Sequence, residues 1–290
     1  MSAYNVVRMD FVNGQSQYRF YKTPVTSKDY LYGEQSKIES DRLDEKIKNH
    51  VVTPFDVCAD IVEEIKDYSP VELALRQQRS IMSSVHRTKN MVYNYSRGNV
   101  WEWFITLTFN KEKIDRYNFE LCSKTVRKWL KNVKYKYASE MKYILVPEQH
   151  KDGAWHFHGL LSHCGAMKFN RAFNKYTGEL LFSKSGLPIY NFGNYKLGFS
   201  SATPILDTAK ASSYITKYIT KELAINTKGF RRYYPSANLE LPKKSYYFIA
   251  DNEKLDFLKE MKDKITFNKE VKVKCGSYEQ LVEYIEIGEN

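Results

Sequence analysis

The sequence has no long hydrophobic run, few cysteines and no leader-like start. No stretch approaches the ~20 consecutive apolar residues that a membrane-spanning helix requires, so we expect no membrane partner. The first residues do not combine positive charge with an apolar run, so we expect no secretory signal peptide. The cysteines lack paired spacing, which is typical of reduced thiols in the cytoplasm: Cys58, Cys122, Cys164 and Cys275.

A phosphate-binding loop of the form G-x-x-x-x-G-K followed by Ser or Thr is also absent. Its absence excludes an ATP-driven motor of that type, and ATP is not implied as a cofactor. Positive charge is plentiful, because the 290 residues carry a formal net charge of +11. Residues 251–290 hold ten acidic and seven basic side chains, so the part before them carries about +14. Such a surplus favours a polyanionic partner, although a merely basic soluble protein is the alternative.

Two histidines, His156 and His158, alternate with bulky apolar residues in the segment 155–161. Side chains alternate along a strand, so both imidazoles would project from one face and could together hold a metal ion. Two satisfied core histidines are the alternative. The segment 141–146 reads as a preceding strand, and the turn residues 151–153 between the two predict a β-hairpin.

The length of that turn decides which side chain faces the histidines. A two-residue loop puts Gln149 opposite His156, whereas a three- or five-residue loop, with Gly153 in the left-handed region, puts Glu148 there. Glu148 is therefore the predicted third ligand, and Gln149 and His150 are the alternatives for a tighter turn. Two imidazoles and a carboxylate suit a divalent cation that also binds substrate oxygen, and they suit non-haem iron equally.

A doubled Tyr-x-x-Lys pattern follows in the segment 212–222. On a helix, Tyr214 and Tyr218 share one face, and Lys217 and Lys221 form a second i, i+4 pair beside them. A tyrosine hydroxyl has a pKa near 10 and becomes a nucleophile once it is positioned and partly deprotonated. The alternative is an amphipathic helix that packs its aromatic stripe into the core.

These motifs together resemble the HUH endonucleases, specifically the rolling-circle replication initiators of small phages and plasmids. The resemblance rests on three motifs in this order: residues 104–109, His156-Phe157-His158, and the doubled Tyr-x-x-Lys at 214–221. The tyrosines follow the histidines, as they do in replication initiators, and Glu148 lies where viral initiators of this kind place their third metal ligand. The resemblance extends roughly from residue 75 to residue 245.

The resemblance implies a metal-dependent endonuclease and strand transferase that acts on single-stranded DNA at a replication origin. A tyrosine would form a 5′-phosphotyrosine and release a 3′-hydroxyl that primes a host DNA polymerase, and a second tyrosine would later cut and rejoin the strand. The partners would be origin DNA, a host helicase and the polymerase, in a bacterial host cell. The implied Mg²⁺ or Mn²⁺ ligands are Glu148, His156 and His158, and the implied catalytic residues are Tyr214, Tyr218, Lys217 and Lys221.

Three alternatives use parts of the same pattern. A single-strand DNA transposase of the same superfamily would share the chemistry and differ in its substrate. A non-haem iron oxygenase would use the same ligands but would leave the tyrosines and the positive charge unexplained. A non-catalytic RRM-like nucleic-acid-binding protein would need neither the metal nor the tyrosines.

The order of predicted elements from residue 100 to residue 161 is strand, helix, strand, strand. Together with the resemblance, this order predicts an α+β fold of the ferredoxin or RRM-like type, an antiparallel sheet with helices on one face. We expect an endonuclease domain over 69–250, flanked by accessory segments at 1–68 and 251–290. The first of these contains a short hairpin and a polar run, 36–49, that reads as a loop or an exposed helix.

Several basic side chains lie near the motifs. Arg87 and Lys89, on a helix predicted from residue 70 to about residue 95, and Arg231 and Arg232 are candidate contacts to DNA phosphates. A solvated helix face is the alternative for the first pair. An insertion at 163–205 mixes basic and aromatic residues, which is typical of surfaces that bind single-stranded nucleic acid, with an irregular surface hairpin as the alternative.

Overall fold

The computed structural model describes residues 3–25, 70–275 and 278–288. It divides into two compact units, one made of residues 1–76 and 243–290 and the other of residues 77–242. The two terminal segments, which we predicted as separate accessory segments, therefore belong to one unit. The polar run at 36–49 and Cys58 lie outside the described residues.

The described residues form an α+β fold. The strands are β1 (Tyr4–Asp10), β2 (Ser16–Val25), β3 (Trp103–Leu107), β4 (Lys142–Gln149), β5 (Trp155–Ser162), β6 (Phe169–Arg171), β7 (Tyr190–Phe192), β8 (Ser200–Pro204), β9 (Tyr234–Pro235), β10 (Lys243–Tyr247), β11 (Ile265–Cys275) and β12 (Tyr278–Ile287). The α-helices are α1 (Pro70–Arg97), α2 (Phe119–Tyr137), α3 (Thr208–Ile215), α4 (Lys221–Asn226) and α5 (Asp251–Glu260). None of the described helices is long and apolar enough to cross a membrane.

The first unit contains an antiparallel sheet in the order β10-β1-β2-β12-β11. The predicted N-terminal hairpin is confirmed as β1 and β2, and Gly14 takes a positive φ of 77° in the turn between them. β2 also pairs with β12, and β1 with β10, so backbone hydrogen bonds join the two ends of the chain. This pairing is the reason that the terminal segments form one unit. Tyr18 and Phe20 pack with Phe257 of α5 on one side of this sheet.

The second unit contains an antiparallel sheet in the order β6-β7-β8-β3-β5-β4-β9. β3 lies beside the histidine strand β5, as the sequence predicts. β8, which we predicted as the end of the insertion, is instead a central strand and pairs with β3 along its whole length. Its sequence, Ser-Ser-Ala-Thr-Pro, contains few of the branched and aromatic residues that favour strands.

The two faces of this second sheet carry different partners. Trp155 packs against Phe119 of α2, with ring centroids 4.6 Å apart. His158 lies three residues further along β5, and therefore on the opposite face, where Tyr218 stacks on it. Helices thus cover both faces, whereas the sequence predicted them on one. We call the side that carries Thr106, Glu148, His156 and His158 the histidine face.

Gly159 follows the second histidine at a place where β5 and β4 approach closely. A Cβ atom added there would lie 2.6 Å from the carbonyl oxygen of Ile144 and would overlap a methyl group of Leu145. Because a backbone oxygen cannot turn aside, we expect Gly159→Ala to lower the free energy of unfolding by about 1–3 kcal/mol. Urea denaturation measures this loss. Gly193→Ala is the matched control, since its added methyl would meet only side chains and the carbonyl of Lys168 at 3.2–3.6 Å, and a loss equal to that of Gly159→Ala would contradict the account.

Candidate active site

The hairpin of β4 and β5 sets the register of the candidate site. His150 donates its N–H to the carbonyl of Ala154 at 2.9 Å, so the loop is the three-residue segment 151–153. Gly153 takes the left-handed conformation in this loop, with φ of 84°. Glu148 consequently lies directly opposite His156, which confirms the register predicted for a three-residue turn.

A carboxylate and two imidazoles converge on the histidine face. The Nε2–H of His158 donates to Oε2 of Glu148 at 2.7 Å, and Nε2 of His150 lies 3.5 Å from the same oxygen. One donor atom from each of these three residues lies within 4.8 Å of the other two. This donor set fits a divalent cation, because imidazole and carboxylate are ordinary ligands of such ions.

The carboxylate of this cluster is held in its ionised form. The hydrogen bond from His158 is the largest of several effects that lower the pKa of Glu148 below its ordinary value. Burial opposes this shift, and the charges of the neighbouring histidines add to it. Glu148 can therefore offer a negatively charged oxygen ligand at neutral pH.

His156 lies next to this cluster. Its ring stacks flat on that of His150, with centroids 3.6 Å apart and planes 2° from parallel. Burial, and then the charges of His150 and His158, lower the pKa of His156 to about 4. The ring is therefore neutral at pH 7, the state in which histidine binds metals.

The structure thus groups His150 with Glu148 and His158, whereas the sequence had ranked His156 above His150 as a metal ligand. His150 was kept only for a tighter turn, and the turn is not tighter. A signal for His150 was present, because it lies two residues after Glu148 and so shares its face of the strand.

Thr106 lies on the neighbouring strand β3, opposite His158. Its Oγ1 is 3.0 Å from Nδ1 of the imidazole. With Nε2–H bound to Glu148, the neutral ring accepts the threonine proton at Nδ1, whereas a metal at Nε2 would require Nδ1–H to donate to the same oxygen. The other threonine of this motif, Thr108, bonds instead to the backbone of Phe199 and is not in the site.

We expect Thr106→Val to weaken metal binding by about tenfold to 100-fold, because the imidazole loses the partner that fixes its orientation. Titration with Mn²⁺, followed by the electron paramagnetic resonance signal of the free ion, measures this affinity. Thr106→Ser keeps the hydroxyl and should bind like the wild type. Equal affinities for the valine variant and the wild type would show that Thr106 does not position His158.

The tyrosine segment is not one continuous helix. α3 is capped by Asp207, as predicted, and ends at Ile215, after which Thr216–Tyr218 form a single 3₁₀ turn. Ile219 leaves the helical region with φ of −87° and ψ of 89°, and the side chain of Thr220 then caps α4. Lys217 and Lys221 therefore lie on different helices, which corrects the predicted i, i+4 lysine pair.

The two tyrosines nevertheless share the histidine face. The ring of Tyr218 stacks on His158, with centroids 3.8 Å apart and planes 9° from parallel. Its hydroxyl donates to the hydroxyl of Tyr214 at 3.3 Å. The two hydroxyls therefore lie beside each other at a surface that also carries the metal donors.

The two phenols differ in their surroundings. Tyr214 is 48% exposed, and its ring meets Phe104 edge-on at 5.2 Å. Burial, followed by the interactions with Tyr214 and the charge of Glu148, raises the pKa of Tyr218 above its ordinary value. The ammonium group of Lys217 lies 5.6 Å from the ring centre of Tyr214. Positive charge thus lies beside the more exposed of the two tyrosines.

The predicted DNA-contacting residues divide into two kinds. Arg87 and Arg231 are exposed and Lys89 is half-buried. Arg232 instead serves the fold, because its guanidinium donates to the hydroxyl of Ser84 and, at 3.3 Å, to the carbonyl of Ala224. These bonds link α1 to α4, and they leave Arg232 a weaker candidate for a phosphate contact.

Comparison with known proteins adds one finding. Residues 102–223, fewer than half of the chain, match the model of a family described as replication-associated protein ORF2. The matched segment begins just before β3 and ends in α4, so it contains the metal donors and both tyrosines. Searches of curated proteins and of solved structures gave no match. Over this segment the chain is therefore similar to proteins associated with replication.

Proposed function

We propose that this protein initiates rolling-circle replication by cutting and rejoining single-stranded origin DNA through a tyrosine. One observation carries the proposal: the paired hydroxyls of Tyr214 and Tyr218 lie on the same face as the Glu148 and His158 donor atoms, and the Tyr218 ring stacks on His158. A nucleophile and a site for a phosphate-binding cation are thereby combined. The similarity of residues 102–223 to replication-associated proteins supports the same function.

Tyr214 is the better candidate for the first nucleophile. It is the more exposed phenol, and it accepts the hydrogen bond that Tyr218 donates. That bond and the Lys217 ammonium stabilise negative charge as it develops on the attacking oxygen. Tyr218, whose raised pKa keeps its proton in place, acts as donor in this first step.

The reaction exchanges one phosphodiester for another. The Tyr214 oxygen bonds to phosphorus, the bond from phosphorus to the 3′ oxygen breaks, and that oxygen takes up a proton to become the 3′-hydroxyl. A divalent cation bound by Glu148, His158 and an imidazole of the His150–His156 pair would withdraw charge from the phosphate oxygens. No ATP is needed, because the phosphotyrosine retains the energy of the broken bond for rejoining.

The second tyrosine gives the protein a way to end a round of synthesis. After the origin is copied, the Tyr218 hydroxyl can attack the regenerated site while Tyr214 still holds the first end. The freed 3′-hydroxyl then attacks the Tyr214 phosphotyrosine and closes the displaced strand. Exposed cations near the site, among them Arg87 and Arg231, would hold the backbone without selecting its sequence.

The proposal is tested by mixing the protein with single-stranded DNA from its own replicon and Mn²⁺, and separating the products on a denaturing gel. We expect a covalent protein–DNA species that forms with the metal and is absent in EDTA. Free DNA ends without a covalent species would indicate hydrolysis and would contradict the tyrosine mechanism. Intact DNA on both strands would refute the endonuclease.

A further inference from the structure

A small meander of residues 172–189 extends from β6 and β7 at the outer edge of the sheet. Backbone bridges between Phe173 and Leu180 and between Phe182 and Pro188 join its segments. Two turns, each with a glycine in the left-handed region, reverse the chain. The predicted insertion therefore has a defined structure in its first part, before the chain returns to the core as β8.

Three aromatic rings of this meander face solvent. The exposed fraction is 61% for Phe173, 84% for Tyr176 and 56% for Phe182. Single exposed apolar side chains are ordinary, but a group of large ones on one projecting element is typical of a binding surface. Covering the core does not explain these rings, because most of each ring lies outside it.

Cations and inner aromatic residues adjoin these rings. The guanidinium of Arg171 lies over the Phe182 ring at 5.0 Å and over the Tyr190 ring at 5.2 Å. Tyr190 in turn meets Trp103 of β3 edge-on at 5.3 Å. A continuous row of ring contacts thus extends from the core strand to the exposed Phe182. A ring held in this way loses little conformational entropy when a ligand stacks on it.

The charge of the same element is strongly positive. Residues 163–199 contain five basic side chains and one acidic side chain, Glu179. Lys175 lies over the ring of Tyr176 at 4.7 Å, and it is exposed, as is Lys184. Phosphates need such cations, and unpaired bases need exposed ring faces, so this combination matches single-stranded nucleic acid.

We propose that the meander is a binding surface for unpaired DNA, with bases stacking on Phe173, Tyr176 and Phe182 and phosphates contacting the neighbouring lysines. In a duplex the base faces are covered by adjacent pairs, so the rings would favour the single strand. The inference rests on the proposed function only in the choice of DNA as the polymer. An apolar protein partner is disfavoured by the surrounding positive charge.

This surface is separate from the histidine face. Tyr190 pairs with Ala202, and Ala202 with Ile105, so Tyr190 points to the same side as Ile105 and away from Thr106. Four strand spacings, roughly 19 Å, separate β6 from β5. The meander would therefore hold DNA that flanks the cut segment and not the scissile phosphate itself.

The test compares the affinity for a labelled single strand with that for the same sequence as a duplex, by fluorescence anisotropy in EDTA. The variant Phe173→Ala/Tyr176→Ala/Phe182→Ala should lose at least about fivefold in single-strand affinity, the smallest effect expected of one stacked base. Its duplex affinity should stay the same. Because all three rings are exposed, the variant should fold, which thermal melting checks.

Two further variants separate stacking from charge and from apolar contact. Lys175→Gln/Lys184→Gln should reduce the slope of log affinity against log salt by roughly 1.4, whereas the alanine variant should leave that slope unchanged. Phe173→Leu/Phe182→Leu keeps apolar surface but removes two ring faces, and it should also weaken single-strand binding.

Unchanged single-strand affinity in the alanine variant would overturn the proposal and assign the rings to another partner. Wild-type affinity in the leucine variant would also overturn it, because it would show that apolar area and not stacking is used. Ring-dependent binding without any DNA cleavage would support this surface while refuting the proposed nicking function. The two proposals can therefore fail independently.

Discussion

Replacing Tyr214 by phenylalanine should reduce covalent attachment to origin DNA on the order of 10³-fold or more, because the variant loses the attacking oxygen. Tyr218→Phe keeps its ring on His158 and loses only the hydroxyl that donates to Tyr214. Since a hydrogen bond to a charged group contributes ~1.5–3 kcal/mol, we expect a loss of about tenfold to 100-fold. Initial rates of adduct formation, measured on denaturing gels, distinguish the two variants.

Tyr135→Phe is the matched control for these variants, because Tyr135 is 88% exposed on α2, away from the histidine face. It should form the adduct at the wild-type rate. The joining step gives a second distinction, since a strand held on Tyr214 needs Tyr218 for the closing cut. If Tyr218→Phe alone abolishes the adduct while Tyr214→Phe retains it, the assignment of the first nucleophile is reversed.

His158→Ala should reduce DNA cleavage on the order of 10³-fold, since a bound metal contributes several kcal/mol to the stabilisation of transition-state charge. Glu148→Ala should act similarly, because it removes the oxygen on which the histidines converge. Mn²⁺ affinity should fall in parallel in both variants. This second measurement separates loss of the metal from loss of DNA binding.

The stacked pair of His150 and His156 should behave differently from His158. Each ring lies beside the other, so either imidazole can replace its neighbour as a ligand. We expect His150→Ala and His156→Ala each to weaken Mn²⁺ binding less than His158→Ala, and the double variant to match His158→Ala. A single His156→Ala change as severe as His158→Ala would contradict this exchange and favour the ligand set implied by the HUH resemblance.

The central hairpin could be predicted from the sequence in detail. Strand alternation placed His156 and His158 on one face, and a glycine at the end of the turn indicated a three-residue loop. That register fixed Glu148 opposite His156. Local chemistry was sufficient here because a turn's length determines the pairing on both sides of it.

The tyrosine segment was only partly predictable. The position of Tyr214 and Tyr218 on one face agrees with the structure, but the end of α3 was missed. Two signals for a break were present: the β-branched residues in 215–220 lower helix propensity, and Thr220 is a good N-cap for a new helix. The lysine pattern dominated the interpretation instead.

Contacts that join distant parts of the chain could not be predicted. The bond from Thr106 to His158 depends on β3 lying next to β5, and 51 residues separate the two positions in the sequence. The burial of Arg232 against Ser84 depends equally on how α1 packs. An arginine in a basic segment has the same local pattern whether it binds DNA or supports the fold.

The most direct test of the account is mass spectrometry of the covalent species after digestion with nuclease and trypsin. Trypsin cuts after Lys210, Lys217 and Lys221, so Tyr214 and Tyr218 fall in different peptides, 211–217 and 218–221. For the first cut of origin DNA, the account predicts a nucleotide joined through its 5′ phosphate to the peptide 211–217. A nucleotide on any peptide that contains neither tyrosine, or no nucleotide-bearing peptide at all, would contradict it.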